Sequence, residues 1–352
     1  MSNDRALNEA LQAAGAVVGE TAFGPDVLHF GDAAGEYAAL AAAAGLVDLS
    51  ARTRVELRGD DRAAFLHNLC TNEIRKLPPG AGCEAFLADA RGHLLFHVFV
   101  HCRPDSLLLE TVPGQDERLL AHLDRYLIRE KVELAGRGEA TAELLVAGPR
   151  AAAALQGLAD GPLPGGRLAN VELKLAGRAA LVAGIDLTQP GGFLLICDRA
   201  DAEAIWRALV EAGVRPCGQQ AFEIARIEAG FPWFGVDLSD KNLPQEAARD
   251  RQAISFVKGC YIGQETVARI DALGHVNKTL VGVKFSGASV PKAGTELTAG
   301  AQAAGQVTSA CYSPRLQAPL ALAWVRRGNS EPGALLDSAL GRAEVVGLPA
   351  TA

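Results

Sequence analysis

The ten residues Phe256–Glu265, FVKGCYIGQE, place a thiol two positions after a lysine, between glycines, and just before a run of helical periodicity. A thiol at a helix N-terminus is favoured as thiolate by the positive end of the dipole, and a nearby ammonium adds to that effect; both raise its reactivity. In an extended segment Lys258 and Cys260 project to the same side. Gly259 and Gly263 let the backbone pass close to a ligand or partner. Gln264 and Glu265 open the predicted helix, with Arg269 four residues beyond Glu265. The same residues also suit a buried cysteine in a tight loop packed by Tyr261 and Phe256, because perturbed sites mark function only by probability.

A second dense stretch is Ala225–Leu238, ARIEAGFPWFGVDL. Arg226 and Glu228 lie near the end of a predicted helix stopped by Gly230, and Phe231, Trp233 and Phe234 crowd the loop around Pro232. Aromatic faces beside a fixed arginine can hold a flat heterocycle with an anionic tail. The bland alternative is that these rings are domain core.

Other candidate chemistries are weaker. His93, His97 and His101 recur every four residues, but GHLLFHVFVH has strand composition. Residues four apart on a strand are separated by about 13 Å, too far to share one ion, so these read as solvent-facing or hydrogen-bonded histidines. No G-x-G-x-x-G, P-loop or G-x-S-x-G is present. Seven scattered cysteines without a C-x-x-C pair or a secretory leader read as reduced thiols in a cytoplasmic protein, with no metal site of its own. A net charge of −7 argues against a general nucleic-acid binder, and no window reaches the roughly 18 apolar residues of a membrane span.

At 352 residues, two or three domains are expected. Thr53–Leu57 reads as a strand, followed by a helix through Ala63, Phe65, Leu66 and Leu69. Cys83–Leu87 and Leu94–Val100 read as a hairpin across Asp-Ala-Arg-Gly. Ser106–Thr111 is a further strand and Gln115–Arg129 an amphipathic helix. Strand-then-helix order recurs at Glu143–Val146 with Pro149–Leu158, and at Gly192–Cys197 with Asp201–Gly213, which suggests α+β subdomains with a boundary near residue 160. After residue 275 or so, short strands cut by Gly and Pro predict a small C-terminal barrel.

ARIEAGFPWFGVDL, the following NLPQEA, and KGCYIGQETVARI together resemble the YgfZ family of tetrahydrofolate-binding iron–sulfur cluster assembly proteins, which shares a superfamily with the aminomethyltransferase of glycine cleavage, the T-protein. GLVDLSARTRVELRGDDRAAFLHNLCTNEI resembles that family's opening. The resemblance covers about residues 40–100 and 217–285. It implies a three-lobed α+β aminomethyltransferase-like fold with a small C-terminal β-barrel. The ligand it implies is tetrahydrofolate or a one-carbon derivative, contacted by Arg226, and Trp233 of the neighbouring aromatic loop is the candidate to stack on it. The working thiol is Cys260, supported by Lys258 and by Gly259, Tyr261, Gly263, Gln264 and Glu265. The partners are iron–sulfur assembly proteins or cluster-containing client enzymes. The alternative is a tetrahydrofolate-dependent one-carbon transferase or demethylase. Two departures bear on that alternative: the transferases' acidic pair aligns with Phe96 and His97, and the loop that carries their pterin-anchoring glutamate reads Thr188-Gln-Pro-Gly-Gly, without a carboxylate.

Overall fold

A computed structural model describes residues 3–188 and 191–350, so Gln189 and Pro190 of the Thr188 loop lie outside the described residues. The chain opens with helix α1 (Asn3–Ala13), the hairpin β1 (Val17–Thr21) and β2 (Gly24–His29), and helix α2 (Ala33–Ala42), whose N-terminus is capped by Asp32. There follow β3 (Gly45–Asp48), β4 (Arg52–Arg58), α3 (Arg62–His67), β5 (Gly82–Ala88), β6 (Leu94–Cys102), β7 (Ser106–Pro113), α4 (Asp116–Asp124) and β8 (Glu133–Gly136). Next come β9 (Thr141–Ala147), α5 (Ala151–Gln156), β10 (Asn170–Leu175), β11 (Arg178–Ile185), β12 (Gly192–Asp198), α6 (Ala202–Glu211), β13 (Arg215–Pro216) and α7 (Gln219–Ala229). The last helices are α8 (Asp250–Ala253) and α9 (Gln264–Leu273), before β14 (Lys278–Phe285), β15 (Glu296–Ala299), β16 (Gln302–Ser313), β17 (Ala318–Arg326), β18 (Leu335–Ser338) and β19 (Gly341–Val346).

Three larger sheets result. One runs β10-β11-β12-β9-β3-β13, one runs β5-β6-β7-β4-β8, and β14-β17-β16-β15-β18-β19 closes into a barrel. The apolar stripes of α1, α5 and α6 (Leu7 and Leu11, Ala151 and Leu155, Ile205, Trp206 and Leu209) share one buried cluster with Leu46, Leu144, Val146, Val182 and Leu195 of the six-stranded sheet. The barrel buries its own core around Val283, Phe285, Leu297, Val307, Ala323, Val325 and Val345. This is the α+β fold with a C-terminal barrel that the sequence pattern implies.

The β5–β6 turn is built by its own residues. Asp89 Oδ1 accepts from the amides of Arg91 and His93, each at 2.8 Å, and Gly92 takes a left-handed φ of +85°. Helix α4 is shorter than its periodicity suggests. Beyond Asp124 the bonds Tyr126 N→Leu123 O and Leu127 N→Asp124 O tighten the chain into turns, and Ile128 is exposed. No helix among the described residues is long and apolar enough to cross a membrane.

The residues group into two compact units. One comprises the chain up to His67 with Glu73–Glu84 and Val98–Phe222; the other comprises Asn68–Asn72, Ala85–His97 and everything from Glu223 onward. The barrel falls in the same compact unit as α9 and both dense stretches.

Candidate functional site

In the second unit, α7 delivers Arg226 into a fully buried position. Its Nε and one terminal nitrogen donate to the two oxygens of Glu223 at 3.0 and 2.6 Å, and the other terminal nitrogen donates to Phe231 O at 2.7 Å and Asp237 Oδ2 at 2.8 Å. Burial alone would lower the guanidinium pKa, but the charges of Glu223 and Asp237 raise it above its ordinary value. Asp237 also accepts from Trp233 N, and through Oδ1 from the hydroxyls of Thr308 and Ser309, both at 2.6 Å. Arg226, expected beside a ligand, is held by protein partners on all three nitrogens. Its guanidinium braces the 231–238 loop against β16, and a buried cation needs those partners to be tolerated at all. Trp233 is likewise buried. Its Nε1 donates to Glu223 Oε1 at 2.7 Å, leaving Glu223, with 37 % of its side chain exposed, as the accessible polar edge of this network.

Of the three histidines expected to be solvent-facing or hydrogen-bonded, His93 keeps 40 % of its side chain exposed beside Asp89. His97 and His101 are buried, because β6 has neighbouring strands on both edges and both faces covered. His97 stacks on Phe231 at a centroid distance of 5.5 Å and meets Phe86 in a tilted contact at 4.8 Å; Arg249 lies over the Phe231 ring, 4.9 Å from its centroid. Phe96 is buried too. Among the described residues no group of His, Cys, Asp and Glu could hold a metal ion.

The cysteine loop joins α8 to α9 and is fastened along its length to Asn68–Asn72. Ser255 N donates to Thr71 O at 2.9 Å, Ile262 N to Asn68 O at 3.1 Å, and Thr71 Oγ1 to Ala253 O at 2.6 Å. Lys258 is buried. Its ammonium donates to Cys70 O at 2.6 Å and Asn72 O at 2.9 Å, and sits 4.8 Å from the Tyr261 ring centroid. This revises the expectation that Lys258 lines up beside the thiol in an extended strand: the side chain is first of all a clamp on the loop. Gly263 is needed for packing. Its φ is +84°, and a Cβ there would lie 2.6 Å from Asp89 O. Gln264 and Glu265 begin α9 with Gly263 as N-cap, as the sequence suggests. Gly259 and Cys260 are exposed, beside Phe256 and the almost wholly exposed Val257. The other six cysteines are buried, and burial pushes Cys197, Cys217 and Cys311 up to about 12.

The first unit carries a cavity of about 410 Å³ lined by Pro164, Arg167, Ile185, Asp186, the backbone of Gly191 and Gly192, and Phe193. Arg167 Nε donates to both oxygens of Asp186 at 2.8 Å, its terminal nitrogen pairs with buried Glu84, and its guanidinium lies 5.9 Å from the Phe99 centroid. Sequence reasoning missed Glu84, Arg167, Asp186 and Glu223. The first three are separated by 83 and 19 positions, so no motif joins them. Glu223 carries a detectable signal, three residues before Arg226 on one helix face.

Residues 7–255 match the GCVT N-terminal domain, and residues 278–350 match the glycine cleavage T-protein C-terminal barrel domain. An aminomethyltransferase of Streptomyces avermitilis is 31 % identical over 87 % of this chain and 84 % of its own. Another, of Thermus thermophilus, is 32 % identical over 84 % of each. The crystal structure of glycine cleavage system aminomethyltransferase T from Bartonella henselae superposes with a TM-score of 0.89, covering 98 % of this chain and 96 % of that one at 21 % identity, which is a likeness of fold.

Proposed function

The chain belongs to the glycine cleavage T-protein family, and from that premise we propose that it binds a reduced folate and serves iron–sulfur protein maturation through Cys260. Family membership and relatives named aminomethyltransferase support the folate part. The cavity at Arg167 and Asp186 has the chemistry a pterin-like heterocycle needs, apolar walls with a few fixed polar groups.

The observation that carries the second part is the selective exposure of one thiol. Of seven cysteines only Cys260 meets solvent, and it does so from a loop whose backbone is hydrogen-bonded in place. A thiol held out this way can attack, or share ligation of a cluster with a partner, since one cysteine cannot hold a cluster alone. The resemblance of KGCYIGQE to the YgfZ loop supplies the biological setting. The test is a strain whose only copy carries Cys260→Ser: cluster-dependent enzymes lose activity while the protein's abundance and melting temperature hold. Full cluster-enzyme activity in that strain refutes the reading.

The second reading is tetrahydrofolate-dependent one-carbon transfer, favoured by the names of the relatives at 31–32 % identity. Against it, an apolar ring and a stacked imidazole stand at Phe96 and His97, where the resemblance places an acidic pair, so the proton-handling carboxylate is missing. Turnover of the purified protein with glycine-cleavage partners, retained in Cys260→Ser, would favour this reading over the first.

A further inference from the structure

A second concentration of charge lies inside the first unit. Glu110 on β7 and Glu143 on β9 are both fully buried. Arg52 approaches both, with a terminal nitrogen 3.3 Å from Glu110 Oε1 and Nε 2.9 Å from Glu143 Oε1. Arg54 donates to Glu143 Oε2 at 3.2 Å. The nearest packing is apolar: Leu108, two residues before Glu110, clusters with Leu181 and with Ile196, the cross-strand neighbour of Glu143. Two carboxylates in such a seam satisfy their lone pairs with donors or do not both ionise.

Here two oxygens are left over. Glu110 Oε2 and Glu143 Oε1 are buried, and no aligned donor among the described residues reaches either. We propose that Glu110 and Glu143 hold one proton between them, a proton lock that keeps this seam closed at neutral pH and is released by alkali. An O–H on one carboxyl donating to the other satisfies both leftover oxygens with a single proton, which ionised acceptors cannot do.

The charged and titratable groups that face the pair are Arg52 and Arg54 from β4 and His101 from β6; Asp48 of β3, with Arg199, acts on Arg54 from beyond it. Burial, more than Arg52, pushes His101 down to about 4, so at neutral pH it adds no charge. The two arginines favour ionised carboxylates, but burial and the repulsion of Glu110 outweigh them, pushing Glu143 up to about 8 from an ordinary 4.5. A folded-state value above the unfolded one means that this contribution is complete below about 4.5 and is lost as pH rises through about 8.

The test uses Glu143→Gln, whose amide imitates the protonated acid by donating to Glu110 while still accepting from arginine. The ratio of wild-type to variant folding constants, from denaturant melts, should fall by up to about tenfold per pH unit between those limits. The infrared band of a protonated carboxyl group should be present in wild type at neutral pH and absent in the variant. If the variant fails to fold, wild type alone decides: the band should vanish above pH 8, and unfolding at pH 7 should release one extra proton, measured calorimetrically in two buffers. Parallel pH profiles, or no protonated-carboxyl band in wild type at neutral pH, overturn the proposal.

Discussion

Lys258 shows how one residue changes role between sequence and structure. Two positions from a cysteine, it looks like the cation that stabilises a thiolate; folded, its ammonium is buried on the carbonyls of Cys70 and Asn72. Lys258→Met keeps the stem but leaves those acceptors without their charged donor, at a cost of about 1–3 kcal/mol. The expected result is faster amide exchange across residues 254–263, together with a lower melting temperature. Labelling by iodoacetamide should still select Cys260 over the six buried thiols, because access rather than the ammonium sets that preference. If Lys258→Met leaves exchange unchanged but slows Cys260 labelling, the side chain acts on the thiol and not on the loop. Arg226 teaches the same lesson. Its position beside aromatics was readable, but its engagement by Glu223, Asp237 and Phe231 O depends on a loop closure that no local pattern encodes.

At the scale of elements, legibility followed how local the governing interactions are. The β5–β6 hairpin was readable because Asp89 and Gly92 build its turn themselves, and the start of α9 because Gly263 marks it. The β10–β11 hairpin escaped notice, since its two-residue turn is Ala176-Gly177, with φ of +49° and +81°; the Asn or Asp that usually announces such a turn is absent. β18 also went unread, as four residues with Leu336 buried carry too little alternation to register. Gly263 is where two elements meet. A methyl group there collides with Asp89 O, and the left-handed backbone disfavours any side chain. Gly263→Ala should therefore cost on the order of 1–3 kcal/mol. It should shift α9 away from the hairpin turn, read as increased exchange in both α9 and residues 88–93, whereas Gly274→Ala, with open space around it, should leave the hairpin protected.

For the molecule as a whole, the sequence pattern conveyed the class and the barrel. Hairpin tip, Asn68–Asn72 segment and cysteine loop are distant in sequence, and only long-range pairings such as Thr71 with Ala253 and Phe86 gather them into one unit. The residues tied to the thiol reading belong to that unit, while the Arg167–Asp186 cavity belongs to the other. Ligand binding and thiol chemistry should accordingly separate by mutation. Tetrahydrofolate at a hundred times its dissociation constant stabilises a folded one-site binder by about 2.7 kcal/mol, and the melting temperature rises with ligand concentration. The expected outcome is that wild type and Cys260→Ser show the same concentration-dependent rise, while Arg167→Ala, which removes a cation from the cavity and frees Asp186, shows a smaller one. A rise lost in Cys260→Ser would mean that folate and thiol form one site; no rise in wild type at any accessible concentration would remove folate from the function altogether.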